Sequence, residues 1–387
     1  MAYIVVNENM LKLLFSAAAL IFLFTWVQGL YCLRWAQRLP LLRQPLAHRP
    51  RVSVVIAARD EEARVEQTLR HILVQEHIDV EVIPVSDRGR DRTDCILEQL
   101  AFEDCRVHPK RVDVLPERWL GKCYACHVGA TSATGDWILF TDADCWLKPD
   151  VIARAIAIAQ REGVDHIALT PGVTPQTLPA AAWHIAFLIS LADWFARVNQ
   201  DKPNGHLGSG AFNLIRTSLY KEAGGYEALR LSVVDDIKLS RLVRRAGGRT
   251  RAFIGGDDVE CHWGVTVPSI TKIVEKNFFA GLDYRIVQGT FFGVVLSICW
   301  VACILGPFTG SILGFCAGGS LIFSAIPAAI ICKRLGWPLR GAAFTPFVFI
   351  AVFYAVLNSM IVTLRQQGIR WRDTFYPLKM LRNGNLP

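Results

Sequence analysis

Apolar residues are distributed along this chain in two ways. From Arg51 to about Asp150 they fall in short runs separated by amphipathic stretches, whereas towards both ends they form long blocks with almost no charge. In the middle region, Val52–Ala58, Val80–Val85 and Trp137–Phe140 read as strands, the last a continuous apolar run of the kind buried on both faces of a sheet. Helical patterns are predicted over Asp60–Gln75, Thr93–Glu103 and Cys123–Ala133. Strands alternating with helices argue for a mostly parallel sheet with crossover helices. Further along, a helix is expected over Pro149–Arg161, strands over His166–Thr170 and Arg249–Ile254, and a helix running to Arg245.

The end blocks are of another kind. Leu11–Tyr31 is about 20 residues with Lys12 its one charge, long enough to cross a bilayer. Arg34, Arg38, Arg43, Arg49 and Arg51 follow it, and no small-residue cleavage site does, so an anchor is expected rather than a removed signal peptide. Those arginines would keep the next domain in the cytosol of a cell with this chain in its inner membrane. Gly289–Cys332 carries no charge and breaks around Gly306-Pro307, and Gly341–Thr363 is a further span. Basic residues flank that last span on both sides (Lys333, Arg334 and Arg340; Arg365, Arg370, Arg372, Lys379 and Arg382), which leaves the side of the tail open. Ser269–Gln288 mixes Lys272, Lys276, Phe278, Phe279, Tyr284 and Arg285 in the manner of an interfacial helix. Leu178–Val198, with Trp183, His184, Asp193, Trp194 and Arg197, is read equally well as an acceptor groove, a membrane-surface segment or a core helix.

Composition changes this picture little. The chain has 387 residues, 52% of them hydrophobic, and a mean hydropathy of +0.30, too apolar for an ordinary soluble enzyme. The net charge of +8 comes from basic residues beside the apolar ends, with no aromatic-basic nucleic-acid motif, so anionic lipid is the better partner than nucleic acid. Of the 11 cysteines, Cys299, Cys303, Cys316 and Cys332 lie in apolar runs as small hydrophobes. Cys123 and Cys126 form a single CxxC without a second pair, a weak case for zinc or redox use. A lone His262 beside Trp263 reads as a packing residue.

The candidate chemistry lies at strand ends. After Phe140 the chain turns into Thr141-Asp142-Ala143-Asp144, and residues two apart in an extended segment point the same way. Ligands of open α/β sheets bind beyond the carboxyl ends of strands, where a hard cation bridging phosphates wants one or two carboxylates. Ala58-Arg59-Asp60-Glu61-Glu62 follows the first strand, and Ser86-Asp87-Arg88-Gly89-Arg90-Asp91-Arg92-Thr93 the second. Acids there also suit the start of a helix. Asp235 and Asp236 sit where a helix begins, where capping alone would account for them.

Taken in order, these segments resemble the family 2 glycosyltransferases of the GT-A nucleotide-sugar fold, over roughly Val52 to Arg285. The resemblance implies that Ala58, Arg59, Glu61, Asp87, Lys122 and Asp142 face the donor, Asp87 reading uracil and Lys122 of Trp119-Leu-Gly-Lys122 serving the diphosphate. Ser86 stands where the family usually has a first aspartate. It further implies a divalent cation, Mg2+ or Mn2+, on Asp142 and Asp144. Gly208, Ser209 and Gly210 shape the acceptor side, Gly224-Gly225-Tyr226 forms the turn that usually follows, and Asp236 is the catalytic base with Asp235 in place of a glutamate.

The expectation is therefore an α/β protein: a GT-A domain at 50–265, an N-terminal anchor at 1–33, an interfacial region at 266–288, two to three transmembrane helices at 289–364 and a basic tail at 365–387. Its membrane layout resembles that of hopanoid-associated and ceramide-type enzymes. Its expected reaction is inverting transfer from a nucleotide sugar, UDP-linked, to a lipid or lipid-linked hydroxyl. One rival is a processive polysaccharide synthase, disfavoured because its Gln-x-x-Arg-Trp motif is not found. Another is a non-catalytic nucleotide-sugar-binding membrane protein, with Ser86 as its support.

Overall fold

The computed structural model describes residues 8–41, 46–262 and 264–384, so Arg43 and Trp263 lie outside the described residues. The chain forms two compact units. One comprises residues 36–174, 194–263 and 379–387; the other comprises 1–35, 175–193 and 264–378.

The first unit is built on an eight-stranded mixed sheet. In chain order its strands are β1 (Arg51–Ala58), β2 (Asp79–Asp87), β3 (Lys110–Val112), β4 (Trp137–Asp142), β5 (Cys145–Leu147), β6 (His166–Gly172), β7 (Asn213–Arg216) and β8 (Thr250–Cys261). They lie side by side as β3-β2-β1-β4-β7-β6-β8-β5. The strands β1 to β4 are mutually parallel, β7 is antiparallel to β4 and β6, and β5 is antiparallel to β8. Val52, Val54, Ile56, Val80, Val82, Trp137 and Leu139 join one core with Leu69, Ile72, Ile152 and Ile156, from the helices Val65–Leu73 and Val151–Glu162. Each fully buried Val or Ile of this kind stabilises the fold by about 1.5–3 kcal/mol. On the opposite face lies helix Gly121–Thr131, so close that a Cβ at Gly129 would come within 2.4 Å of Val55 Cγ1. That approach seats the start of the helix, and Lys122 with it, beside the strand ends.

The helix expected at Asp60 begins instead at Val65. Residues 59–64 are held as a loop by the neighbouring one: Glu61 N–H donates to Thr93 Oγ1 (2.9 Å), Glu62 N–H to Asp91 Oδ2 (3.0 Å) and Arg90 N–H to Asp60 Oδ1 (2.7 Å). Asp60 and Arg88 are left-handed, with φ of 54° and 51°, a conformation that short polar side chains tolerate best. At the far edge, the buried Arg154 guanidinium pairs with both Asp258 oxygens (3.0 and 2.9 Å) and donates to the carbonyls of Leu39 and Pro40. This pins the segment leading from the N-terminal helix, and Ile254 N–H bonds Gln37 O at 2.7 Å. The tail residues from Lys379 also belong to this unit, and a Cβ at Gly384 would stand 2.5 Å from Leu231. Residues 379–384 of the tail therefore pack with the sheet's own unit.

The second unit is helical. Among the described residues, five helices are long and apolar enough to cross a membrane: Glu8–Cys32, Leu178–Asn199, Ile286–Thr309, Ile312–Leu335 and Arg340–Gln366. The break expected at Gly306-Pro307 is a 3-10 turn, Gly306–Thr309, followed by Gly310 at φ 70°. Leu178–Asn199 is an addition to the four apolar segments expected. Its first helix, Leu178–Ser190, has 13 residues, about 20 Å long and short of the roughly 30 Å hydrocarbon core. Trp183 there is fully buried and stacks on Phe187 and Phe278, which favours the core-helix reading. The single interfacial helix expected over Ser269–Gln288 is three short ones, Val267–Val274, Asn277–Gly281 and Ile286–Thr290. Asp283 and Tyr284, at φ 51° and 58°, break the run. Leu13, Leu20 and Phe24 on the N-terminal helix are exposed, as side chains that meet lipid would be.

Candidate active site

All the candidate residues belong to the first unit. Asp142 is the last residue of β4, and Asp144 lies in the turn into β5. The turn is anchored between them: Thr68 Oγ1 donates to Ala143 O (2.7 Å) and Thr141 Oγ1 to Ala211 O (2.8 Å). Both carboxylates are half-buried. Burial and the neighbouring Asp142 push the Asp144 carboxyl above its ordinary pKa. Two like charges so placed are what a hard divalent cation relieves, so the donor set fits such an ion.

Lys122, in the first turn of its helix, reaches across to Asp142. Its Nζ stands 2.6 Å from Asp142 Oδ1 and 3.9 Å from Asp235 Oδ2. Burial works against its charge, but Asp142 and Asp235 outweigh it and hold the ammonium pKa well above the ordinary value.

Asp235 and Asp236 open helix Asp235–Arg245 and divide the work of the site. Asp235 is buried, and its Oδ2 accepts the Tyr226 hydroxyl at 2.9 Å. Asp236 accepts Ile237 N–H on Oδ1 (2.8 Å) and Gly210 N–H on Oδ2 (2.9 Å). Burial, followed by the charge of Asp235, pushes the Asp236 carboxyl up to about 6. Neither acid caps the helix with its own side chain in the manner of an N-cap, because the capping position is Val234.

The loop Gly208-Ser209-Gly210 is sewn to this helix start. Asn213 Nδ2 donates to Asp236 O (3.4 Å), while its Oδ1 accepts Ser209 N–H (3.2 Å) and faces His166 Nε2 (3.1 Å). Burial lowers the His166 pKa to about 4, so the ring is neutral and donates to Asn213. A Cβ at Gly208 would stand 1.9 Å from Asp236 O, and one at Gly210 2.5 Å from Asp142 Oδ2 and 3.2 Å from Lys122 Nζ. Only glycine lets these backbones approach so closely. The structure thus brings together Lys122, Asp142, Asp235, Asp236 and the 208–210 loop.

The donor-side residues at β1 and β2 are more mixed. Asp87 is buried and held by its neighbour Arg88 at 2.6 and 3.0 Å, and a Cβ at Gly121 would stand 2.2 Å from Asp87 Oδ2. The packing at Gly121 connects Asp87 to the helix that bears Lys122. Ala58 is fully buried opposite Ser86 in the sheet, and Arg59 is largely covered. Glu61 is fixed through its backbone N–H to Thr93 Oγ1. Ser86 Oγ is buried without a hydrogen-bond partner among the described residues.

Sequence reasoning missed the positioning residues Tyr226, Asn213 and His166. Tyr226 sat in a Gly-Gly-Tyr turn whose spacing to Asp235 held the signal, but nothing in the one-dimensional pattern marks its hydroxyl as a donor. The CxxC pair is inert: Cys123 and Cys126 are buried, burial pushes both thiols up, Cys126 to about 12, and Cys123 donates to Ser232 O at 3.4 Å.

Comparison with known proteins fits this arrangement. The family model described as glycosyl transferase family 2 matches residues 53–224. A 4,4'-diaponeurosporenoate glycosyltransferase of Staphylococcus aureus is 25% identical over 196 residues, covering 49% of this chain and 50% of the relative. The enzyme of the same name from Staphylococcus haemolyticus is 35% identical over 105 residues, 27% of each chain. The chain therefore spans about half the length of the curated relatives it matches, or less. Among solved structures, a mannosyltransferase from Pyrobaculum calidifontis, in complex with GDP-Man and Mn2+, superposes with a TM-score of 0.56 at 17% identity, covering 92% of this chain and 99% of its own. At that identity the likeness speaks for the fold. Residues 53–224 are a glycosyl transferase family 2 domain, and the fold that carries them is GT-A.

Proposed function

We propose that the chain moves a sugar from a nucleotide-sugar donor, UDP-linked, to a hydroxyl of a lipid or lipid-linked acceptor in a single inverting displacement. The observation that carries this reading is Asp236: a carboxyl with a pKa near 6, held by Gly210 N–H beside the Lys122–Asp142 pair. A general base is most effective when its pKa lies near the working pH. Asp236 takes the proton of the acceptor hydroxyl as that oxygen attacks the anomeric carbon. Gly210 N–H and Ile237 N–H hold its carboxylate in place. Asp235, fixed by Tyr226, keeps the Asp236 pKa up and orients Lys122, whose ammonium meets the donor diphosphate. Asp142 and Asp144 would hold Mg2+ or Mn2+, which as a Lewis acid neutralises the leaving nucleoside diphosphate.

The acceptor class is supported by the apolar helices and by the relatives, whose name denotes an apolar carotenoid acid. A carboxylate acceptor would attack without losing a proton, so a base with a pKa near 6 favours a hydroxyl. The same helices support a location in the inner membrane, with several spans and the site unit on the cytosolic side. Arg38 and Arg51, which follow the first helix, pair with Asp257 and Glu81 of that unit. Lipid extracts of a deletion strain, its parent and a strain complemented with Asp236→Asn test the reading. A glycolipid lost on deletion should return with the parental gene and not with the variant. No difference in glycolipids between deletion strain and parent would refute it.

A further inference from the structure

The turn that carries Asp144 continues into a second feature that the reaction does not use. β5 and β8 run antiparallel, and Cys145 lies directly opposite Cys261, although 116 positions separate them in the chain. The two sulfurs are 3.3 Å apart and stand 3.8 and 3.7 Å from Asp144 Oδ1. These three ligand atoms all lie within 4.8 Å of one another. We propose that Asp144, Cys145 and Cys261 bind a thiophilic divalent cation such as Zn2+ or Cd2+.

The geometry is the argument. With Zn–S near 2.3 Å and Zn–O near 2.0 Å, two sulfurs and one oxygen on a tetrahedral ion lie about 3.8 Å apart (S to S) and about 3.5 Å apart (S to O). The observed separations differ from those values by a few tenths of an ångström. Adjustment of side-chain torsions is enough to close the difference. Softness makes the site selective: two thiolates prefer Zn2+ or Cd2+ to Mg2+ or Mn2+. Both sulfurs are buried, which shields them, while the half-buried Asp144 leaves an approach and an open position for water. On binding, each thiol releases its proton to solvent and both sulfurs ligate as thiolates. The other close pair, Cys123 and Cys126, has no such arrangement; the Cys123 thiol donates to a carbonyl.

Asp144 is common to both sites, so an ion held by the thiolates withdraws it from the hard cation; this consequence, unlike the binding itself, rests on the function proposed above. Low concentrations of Zn2+ should then inhibit transfer, and a chelator should restore it.

The test uses the purified full chain in detergent with a non-thiol reductant, and Cd2+ as the probe. The wild-type protein should take up one equivalent of Cd2+ with a thiolate-to-metal charge-transfer band. Zn2+ should displace the Cd2+, and millimolar Mg2+ should not. The Cys145→Ser/Cys261→Ser double variant should lose the band yet keep Mn2+-dependent donor binding. A wild-type protein without the band, or a double variant with an undiminished one, overturns the proposal. Should the double variant misfold by circular dichroism, X-ray absorption of the Zn2+-loaded wild-type protein decides. Two sulfur scatterers near about 2.3 Å support the site, and a shell of oxygen and nitrogen alone overturns it. Asp142→Asn separates the two readings: it should abolish Mn2+-dependent donor binding and keep the Cd2+ band. If donor binding persists there while the band behaves as expected, the hard-cation reading fails and this one stands.

Discussion

The two acid pairs of the site differ in a single spacing, and that spacing accounts for their different chemistry. Asp142 ends a strand and Asp144 lies two residues on, in the turn that follows, with Ala143 buried between them. Both stay half-buried, and the Lys122 ammonium pairs with Asp142. Asp235 and Asp236 are adjacent at the start of a helix, so their side chains diverge by about 100° around its axis. One turns into the core and is fixed by Tyr226, and the other turns to the loop at Gly210. On the reading proposed above, the strand-end pair would hold a cation and Asp236 would act as the base. Burial and a nearby like charge raise a carboxyl pKa in both places, at Asp236 to about 6.

The comparison breaks most visibly at Asp236. Asp236→Asn keeps shape and can still accept one of the two backbone N–H bonds on its amide oxygen, but it cannot take the acceptor proton. Its kcat should fall by at least about 10² with donor affinity little changed. Asp235→Asn should cost less, and near-parental turnover in Asp236→Asn beside a dead Asp235→Asn would assign the base to Asp235. Next in size is the loop that joins the pairs. Gly208→Ala places a Cβ 1.9 Å from Asp236 O and should destabilise the protein by about 1–3 kcal/mol, read from denaturant unfolding. An unchanged midpoint would mean that the helix start yields freely.

The smallest effect is a shift in pH profile. Because its folded pKa is raised to about 6, Asp236 is protonated and idle as a base below that pH and competent above it. The acid limb of kcat/KM should therefore fall near pH 6, and kcat/KM reports the free enzyme. Asp235→Asn removes the like charge and should move the limb to lower pH. A limb that stays put would show that burial alone sets it. The two acids interact, so the limb belongs to the pair rather than to one residue. The same shift bears on stability: ionising Asp236 between its unfolded pKa near 3.9 and about 6 weakens the fold as pH rises through that window.

Much of this site was legible because its signals are local. The apolar run of β4 ends at Asp142, as its sequence suggests, and two acids before an amphipathic stretch mark a helix start. The helix expected from Cys123 starts two residues earlier, at Gly121, which puts Lys122 in its first turn. What was not legible depends on distant partners. Nothing near Glu61 tells that Thr93 holds its backbone, so the helix expected from Asp60 starts only at Val65. Cys145 and Cys261 meet because β5 folds back beside β8, while the CxxC that sequence brings forward is a pair of buried, inert thiols. The tail's basic residues satisfied both readings of the charge rule; Lys379 and Arg382 fall in the site's unit, where Gly384 packs against Leu231, whereas Arg365, Arg370 and Arg372 fall in the other. The apolar block after Trp263 held no signal for the left-handed residues Asp283 and Tyr284 that divide the expected helix.

The division of labour between the two acid pairs is tested most directly by one paired measurement. Donor affinity with and without Mn2+, and the single-turnover rate at saturating donor, would be determined for Asp142→Asn and Asp236→Asn side by side. The account predicts that Asp142→Asn loses the Mn2+-dependent part of donor binding. It predicts that Asp236→Asn keeps that part in full and loses at least about 10² in the rate of the chemical step. Donor binding that remains Mn2+-dependent in Asp142→Asn, or a near-parental single-turnover rate in Asp236→Asn, would contradict it.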